Sequence, residues 1–330
     1  MTSTLALAGL LAGAGLHGQD AAFDETYTTD PAARGWFATG TTNLFQWNVG
    51  SGALDVTWDS REPNSYFARP LGTVLTRTND FCLVFDLKLA DFTPNIDPAK
   101  NSGPFELGIG LINLTNATAA GFSRGGGNCP NLLDFAFFPD QGGPYSFGPS
   151  LTGVLVDRTS AYEGWLYADI PLALTTNDVF RVTMSFNSTA GTLRVEVLQN
   201  GASFGTLPSK RLPPGFTDFA LDHLAVCSYS DTGQYPGWEG SLLAHGSVDN
   251  LSFAPWLPVK NLTAVRLGNA VAVRCDSHTG WLYTLERATD RQGWEAVSAP
   301  LPGTGAALIL TDSSPPAQIG RAPSELQSQR

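Results

Sequence analysis

The chain has 330 residues, 42% hydrophobic and only 15% charged, with 35 Gly and 22 Pro spread between the apolar runs. That balance supports a sizeable core in a turn-rich β-protein and argues against disorder and against long helices. A net charge of −11, with 19 basic residues scattered singly, disfavours nucleic acid and anionic membrane surfaces, which need clustered Lys and Arg.

At the N-terminus an apolar run, Leu5–Leu16, gives way to polar residues from His17. Its length fits the core of an export signal and is too short to span a bilayer, although the usual positive n-region is missing. A leader over 1–19, cut near Gly18 or Gln19, is therefore expected, together with a secreted or cell-surface location and no transmembrane segment. A buried N-terminal segment is the competing reading.

Beyond the leader the apolar pattern has period two. Leu54–Trp58 opens the series, and Phe81–Leu89 puts Phe81, Leu83, Phe85, Leu87 and Leu89 on one face with Val84, Asp86 and Lys88 on the other, the signature of a half-buried strand. Further strands are expected at Phe105–Ile112 and Leu132–Phe138. Val179–Phe186 and Leu193–Val197 flank a turn at Asn187–Gly191 and read as a hairpin, with Asn200-Gly201 marking the next tight turn. Phe219–Val226 and Leu242–Phe253 complete the set. Many short strands separated by polar turns predict an all-β fold of two stacked antiparallel sheets, a jelly roll, over 20–255.

The segment Tyr229–Gly240 lies between the last two of these strands. Its Gly and Pro residues place it in a surface loop, where Tyr229, Tyr235 and Trp238 offer flat apolar rings and Asp231, Gln234 and Glu239 offer hydrogen-bonding groups. Such a set can stack and bind a pyranose. Equally, Tyr235 and Trp238 can fold back to cap the sandwich edge.

Two prolines within Ala254–Val259 mark a boundary. Shorter runs follow at Leu262–Leu267, Ala270–Arg274, Leu282–Arg287 and Trp294–Val297, a spacing that fits an immunoglobulin- or fibronectin-like sandwich over 257–312. The unit is too short for seven strands and is expected to be incomplete. Ile319–Ser328 reads like a translated sequencing adapter, so the tail 313–330 is expected to pack against nothing.

Four cysteines, Cys82, Cys129, Cys227 and Cys275, allow three pairings. Cys82 and Cys275 sit in strand-like runs as buried thiols, and Cys129 with Cys227 is the favoured pair if any forms. The absence of C-x-x-C speaks against a zinc knuckle or redox pair. The sequons at Asn113, Asn116, Asn187, Asn250 and Asn261 carry no glycosylation argument, since Asn250 falls in an expected strand.

Phe135-Ala-Phe-Phe-Pro-Asp140, Tyr229-Ser-Asp-Thr-Gly-Gln234 and the closing strand Leu243–Leu251 together resemble motifs of the concanavalin A-like lectin/glucanase superfamily, in the LamG-like form found in secreted environmental bacterial proteins. The resemblance covers about Phe23 to Phe253 and implies a fold more than an activity. Trp281–Trp294 similarly resembles a small bacterial β-sandwich repeat.

Laminarinase-type members of the superfamily carry E-x-D-x-x-E on one strand, and this chain has none. Glu106, Glu163 and Glu196 stand alone on their runs, whereas retaining hydrolysis needs two carboxylates about 5–5.5 Å apart. Asp222, His223, His245 and Asp249 lack the nucleophile elbow of a Ser-His-Asp site, and His223 reads as a core or interface residue. Gly125–Gly127 lacks the Lys-Ser or Lys-Thr of a phosphate cradle. The resemblance also implies a structural calcium ion where first and last strands meet, with Asp24, Glu25, Asp249 and Asn250 as oxygen ligands; strand-end hydrogen bonding competes with it. A non-catalytic module that binds a polysaccharide or glycoconjugate is therefore expected. Alternatives are a hydrolase or lyase with acids from separate strands, and a structural surface domain.

Overall fold

The computed structural model describes residues 9–14, 23–94, 96, 107–138, 149–206, 209–231, 242–255, 261–277, 281–288, 294–299, 301–304 and 306–315. The chain divides into two compact units, Glu25–Pro255 and a second made of Met1–Asp24 with Trp256–Arg330.

In chain order, β1 (Gly9–Ala14) belongs to the smaller unit. The larger unit is entered through β2 (Phe23–Glu25) and continues with β3 (Phe37–Thr39), β4 (Phe45–Asn48), β5 (Ala53–Asp59), β6 (Ser65–Leu75), β7 (Phe81–Pro94) and β8 (Leu107–Ile112). A helical turn, α1 (Leu114–Ala117), precedes β9 (Leu132–Phe138), β10 (Ser150–Val156), β11 (Trp165–Ile170) and β12 (Val179–Asn187). Then follow β13 (Thr192–Gln199), β14 (Ala202–Thr206), β15 (Lys210–Arg211), β16 (Leu221–Ser228) and β17 (Leu242–Ala254).

These strands form a two-sheet antiparallel sandwich. One sheet has the order β14-β13-β12-β7-β17-β5-β4, with β15 beside β13 and β2 beside β17, and the other runs β11-β10-β9-β8-β16-β6-β3. The alternation expected in β7 sets the register with β12: Phe81 faces Phe186, Phe85 faces Val182 and Leu87 faces Phe180. All six are fully buried. Phe85 meets Phe135 of the opposite sheet edge-on at 5.7 Å. Each such side chain contributes about 1.5–3 kcal/mol through burial alone.

The sandwich has strands that period two does not announce. β10 is almost continuously apolar, and its Gly153 makes room for Val195 of β13, whose methyl would lie 2.5 Å from an added Cβ. β6 contains Pro70, which faces His223 beside a register shift in β16; a bulge is where a strand tolerates proline.

In the smaller unit, β18 (Thr263–Leu267), β19 (Ala270–Asp276) and β23 (Ala307–Asp312) make one sheet, while β20 (Trp281–Ala288) pairs with β21 (Trp294–Ala296) and β22 (Leu301–Pro302). Val271, Val273, Cys275, Tyr283, Leu285 and Leu310 form its core. The run expected as a leader contributes β1, antiparallel to β20 from Gly9 opposite Glu286 to Ala14 opposite Trp281. β23 lies beyond the last run expected from periodicity, and residues 316–330 lie outside the described ones.

Candidate functional site

The outer face of the seven-stranded sheet carries the side chains that alternate away from the core. Registers line up Tyr66, Cys227 and Gly108 across β6, β16 and β8, and Asp134, Val154 and Tyr167 across β9, β10 and β11. The segment between β8 and β9 covers part of this face: Ala117, Phe122 and Cys129 pack with Tyr66, Cys227 and Tyr229 in one buried cluster. Asp222 Oδ1 accepts from the Leu114 amide at 3.0 Å and Asn113 Oδ1 caps α1 by accepting from the Asn116 amide at 3.0 Å. The Tyr66 hydroxyl donates to the Ala117 carbonyl at 2.8 Å. The cover is thus fixed at both ends of α1.

Beneath it lies a buried ion pair. Arg124 Nε and Nη2 donate to the two oxygens of Asp134 at 3.0 and 3.1 Å, both side chains are 1% exposed, and the guanidinium carbon lies 5.6 Å from the Trp165 ring centre. Burial is the largest influence on Arg124 and lowers its pKa, but the Asp134 charge and its hydrogen bond, with Cys129, raise it above the ordinary value. The arginine therefore stays charged. Burial pushes the Cys129 thiol up to about 12 and Cys227 above its usual range, so neither is a thiolate at neutral pH. All four cysteines are free and buried, and the Cys129–Cys227 bond does not form although both belong to the same cluster.

Tyr229 is corrected from a presented ring to a core residue. It is fully buried, stacks on Phe122 at 6.3 Å and meets Tyr66 edge-on at 6.1 Å. Gly108 permits this, since an added Cβ would fall 2.6 Å from the Tyr229 ring. Asp231 is buried too and its amide donates to the Ser60 carbonyl at 3.1 Å. Gln234, Tyr235, Trp238 and Glu239 lie outside the described residues.

An aromatic edge stands elsewhere, on β11. Trp165 and Tyr167 share the outer face, two residues apart, and stack at 5.4 Å with 21° between their planes. Tyr167 is 39% exposed, and Tyr162 in the preceding turn is 84% exposed. The W-x-Y alternation around inward Leu166 was the available signal; the turn Tyr162–Gly164 interrupts the pattern just before it.

Asp157 holds that turn. Its Oδ1 accepts from the amide and hydroxyl of Thr159 at 2.8 and 2.7 Å, and its Oδ2 from those of Thr217 at 3.2 and 2.9 Å, while Trp165 Nε1 donates to the Ser160 carbonyl at 3.1 Å. Burial taken alone raises the Asp157 pKa, and these donors outweigh it, leaving the value lowered. A lowered folded pKa adds stability that is present above the unfolded value near 4 and lost as pH falls through the folded one. The difference in urea midpoint between the native chain and Asp157→Asn is accordingly expected to be full at pH 6 and to shrink below about pH 4; a constant difference would show that Asp157 does not hold the turn through its charge.

Calcium does not fit the position expected for it. Glu25 is fully buried, and its oxygens accept from the Tyr27 amide at 2.7 Å, Trp36 Nε1 at 2.8 Å, Arg34 Nε at 2.9 Å and Arg34 Nη2. Asn250 Nδ2 donates to Asp86 Oδ2 at 2.8 Å, and Asp86 also holds Arg181 through two bonds of 2.8 and 2.9 Å. Asp24 is exposed, and Asp249 Oδ1 accepts from the Asn250 amide at 2.7 Å. Calcium needs six to eight oxygens (roughly, by its usual coordination) turned toward one point, and among the described residues no three acidic, His or Cys side chains gather to hold a metal. Glu25, Asp249 and Asn250 thus spend polar atoms on hydrogen bonds within the chain. His223 is half-buried, with Nδ1 2.6 Å from Asp222 Oδ1 and its ring edge-on to Phe37 of the same sheet.

No protein-family model and no curated protein matches this chain. Solved structures similar to it include a variant of alginate lyase Aly36B in complex with alginate trisaccharide, with 13% identity and a TM-score of 0.40 over 76% of this chain and 100% of that one. Lectin UEA-II complexed with galactose gives 11% and 0.46 over 74% and 100%. The metal-free carbohydrate recognition domain of Emp46p gives 10% and 0.42 over 73% and 100%. At these identities and TM-scores the sandwich assignment stands on the strand registers.

Proposed function

We propose that the larger unit is a non-catalytic carbohydrate-binding module of a secreted or cell-surface protein, that its ligand is a polysaccharide or glycoconjugate, and that the smaller β-unit serves as a spacer. The observation that carries this reading is the aromatic edge of β11: a stacked Trp165–Tyr167 pair on the outer sheet face, with Tyr162 largely in solvent. Rings held in this way cover the C–H faces of pyranoses at little entropic cost. The Asp157 bonds pre-position the turn that presents Tyr162. Binding is favoured over cleavage because Asp134, among the described side chains of that face, is buried and committed to Arg124, whereas hydrolysis needs two carboxylates that reach the bond.

Affinity electrophoresis in gels cast with soluble polysaccharides, run beside assays for reducing ends and for unsaturated products, tests this. Retardation without product release is expected, and Tyr162→Ala with Tyr167→Ala is expected to weaken it about tenfold or more. Release of reducing ends would make the protein a hydrolase, and unsaturated ends a lyase. Unchanged retardation in the double variant would move the site off β11.

A further inference from the structure

The outer face of the opposite, nine-stranded sheet has two halves that differ in how their polar groups are used. In one half the groups pair with each other: Asp86 holds Arg181 and Asn250, and Arg194 pairs with Glu196. In the other half they surround an open depression of about 420 Å³, within the range of roughly 300–1,000 Å³ for small-molecule sites. Leu44 and Val56 line it although their side chains are buried in the core, so the apolar surface that it offers is the exposed methyl of Ala90, beside Gly246. A shift in register between His245 and Gly246 of β17, which leaves Ala90 of β7 as the extra residue, shapes the gap; such bulges re-aim side chains beside binding sites.

A row of unlike side chains crosses this depression. Ser247 on β17 faces Asp55 on β5 and Lys88 on β7, so Asp55 and Lys88 stand two strand spacings, about 10 Å, apart at their Cα atoms. That leaves room for one ring with its hydroxyls between the two side chains. Lys88 is exposed and has no hydrogen-bond or ion-pair partner among the described residues. Asp55 uses one oxygen to accept from Asn48 Nδ2 at 2.8 Å, which leaves Oδ1 to accept from a ligand. Thr57, Ser247 and Asn177 line the same depression with side chains not bonded to other described residues. His245 is paired with Asp91 at 2.8 Å, and the Lys88 ammonium stands across the depression from the Asp55 carboxylate, so the row asks no net charge of its ligand.

We infer that this depression is a second saccharide site, taking a neutral pyranose by its vicinal hydroxyls. Asp55 accepts from one hydroxyl, Lys88 and Asn177 donate to the oxygen of the next, and the exposed Ala90 methyl meets the ring's C–H face. One molecule with a site on each sheet face would bridge two glycan chains. The inference shares its ligand class with the proposed function but not its residues, so the two can fail separately.

The test is an NMR titration of the full chain with glucose, galactose and mannose, following the amides of Asp55, Ser247 and Asn177. Saturable shifts with at least one sugar are expected. They should persist in Tyr162→Ala with Tyr167→Ala, and binding should weaken about tenfold or more in Asp55→Asn and in Lys88→Met. Ala90→Phe, which fills the depression and removes no polar group, should have the same effect. No saturable shift with any of the three sugars overturns the inference. So does loss of the shifts in the tyrosine variant.

Discussion

Asp134→Ala is expected to lower the unfolding free energy by about 3–5 kcal/mol, the usual cost of breaking one half of a buried ion pair. Arg124 has almost no contact with water, and both of its bonds to Asp134 would be lost at once. The guanidinium sits among Cys129, Tyr229 and Trp165, so its charge would lose the carboxylate that faces it. Replacing the pair together, with Arg124→Met and Asp134→Ala, is expected to cost less than the two single losses summed, because no buried charge then remains, and the native chain, the two single variants and the double variant form a double-mutant cycle. Urea denaturation of the four proteins gives the answer. A loss in the double variant equal to the sum of the two single losses would mean that the pair is not coupled.

The second large effect concerns Glu25. Its removal in Glu25→Ala takes the acceptor from the Tyr27 amide and Trp36 Nε1 and leaves Arg34 bonded to Thr29 alone among these partners. Arg34 is partly exposed and regains water, so the expected loss is about 2–4 kcal/mol. Trp36 stacks on Phe67 at 5.0 Å, and Tyr27 lies tilted against Trp36 at 6.1 Å. Near-ultraviolet circular dichroism should therefore report loosening of these rings along with the drop in urea midpoint. Because Glu25 is bound by donors, EDTA is expected to leave the melting temperature of the native chain unchanged. A fall with EDTA that calcium reverses would restore a metal to this position.

Fold was more legible in the sequence than site, for a physical reason. Period-two alternation reports which face of a strand is buried, and it located β7, β9, β12, β13 and β17 with their core residues. It is silent for β10, apolar on both faces, and for β6, whose Pro70 and Gly72 break the pattern. Loop composition, by contrast, says nothing of where a ring points. Tyr229 stands among turn residues and acids, yet Gly108, far away in the sequence, opens the space it fills. Trp165 and Tyr167 show the converse: an ordinary alternation whose importance comes from β11 being the edge of its sheet. Glu25 reads in the sequence as a hard oxygen ligand, but its donors, Arg34 and Trp36, reach it only through the intervening turn Pro31–Arg34.

The position of β17 bears on how this chain reaches its fold. It is the last strand of the larger unit, yet it lies inside its sheet, between β7 and β5. Until Leu242–Ala254 has left the ribosome, two long strand edges stay unpaired, and neither can bond to the other without closing the gap meant for the third. Non-local pairing of this kind is slow, and open edges invite association with other chains. Both sheets therefore close late, the other when β16 enters between β8 and β6, and the step most exposed to aggregation is the wait for these last two strands.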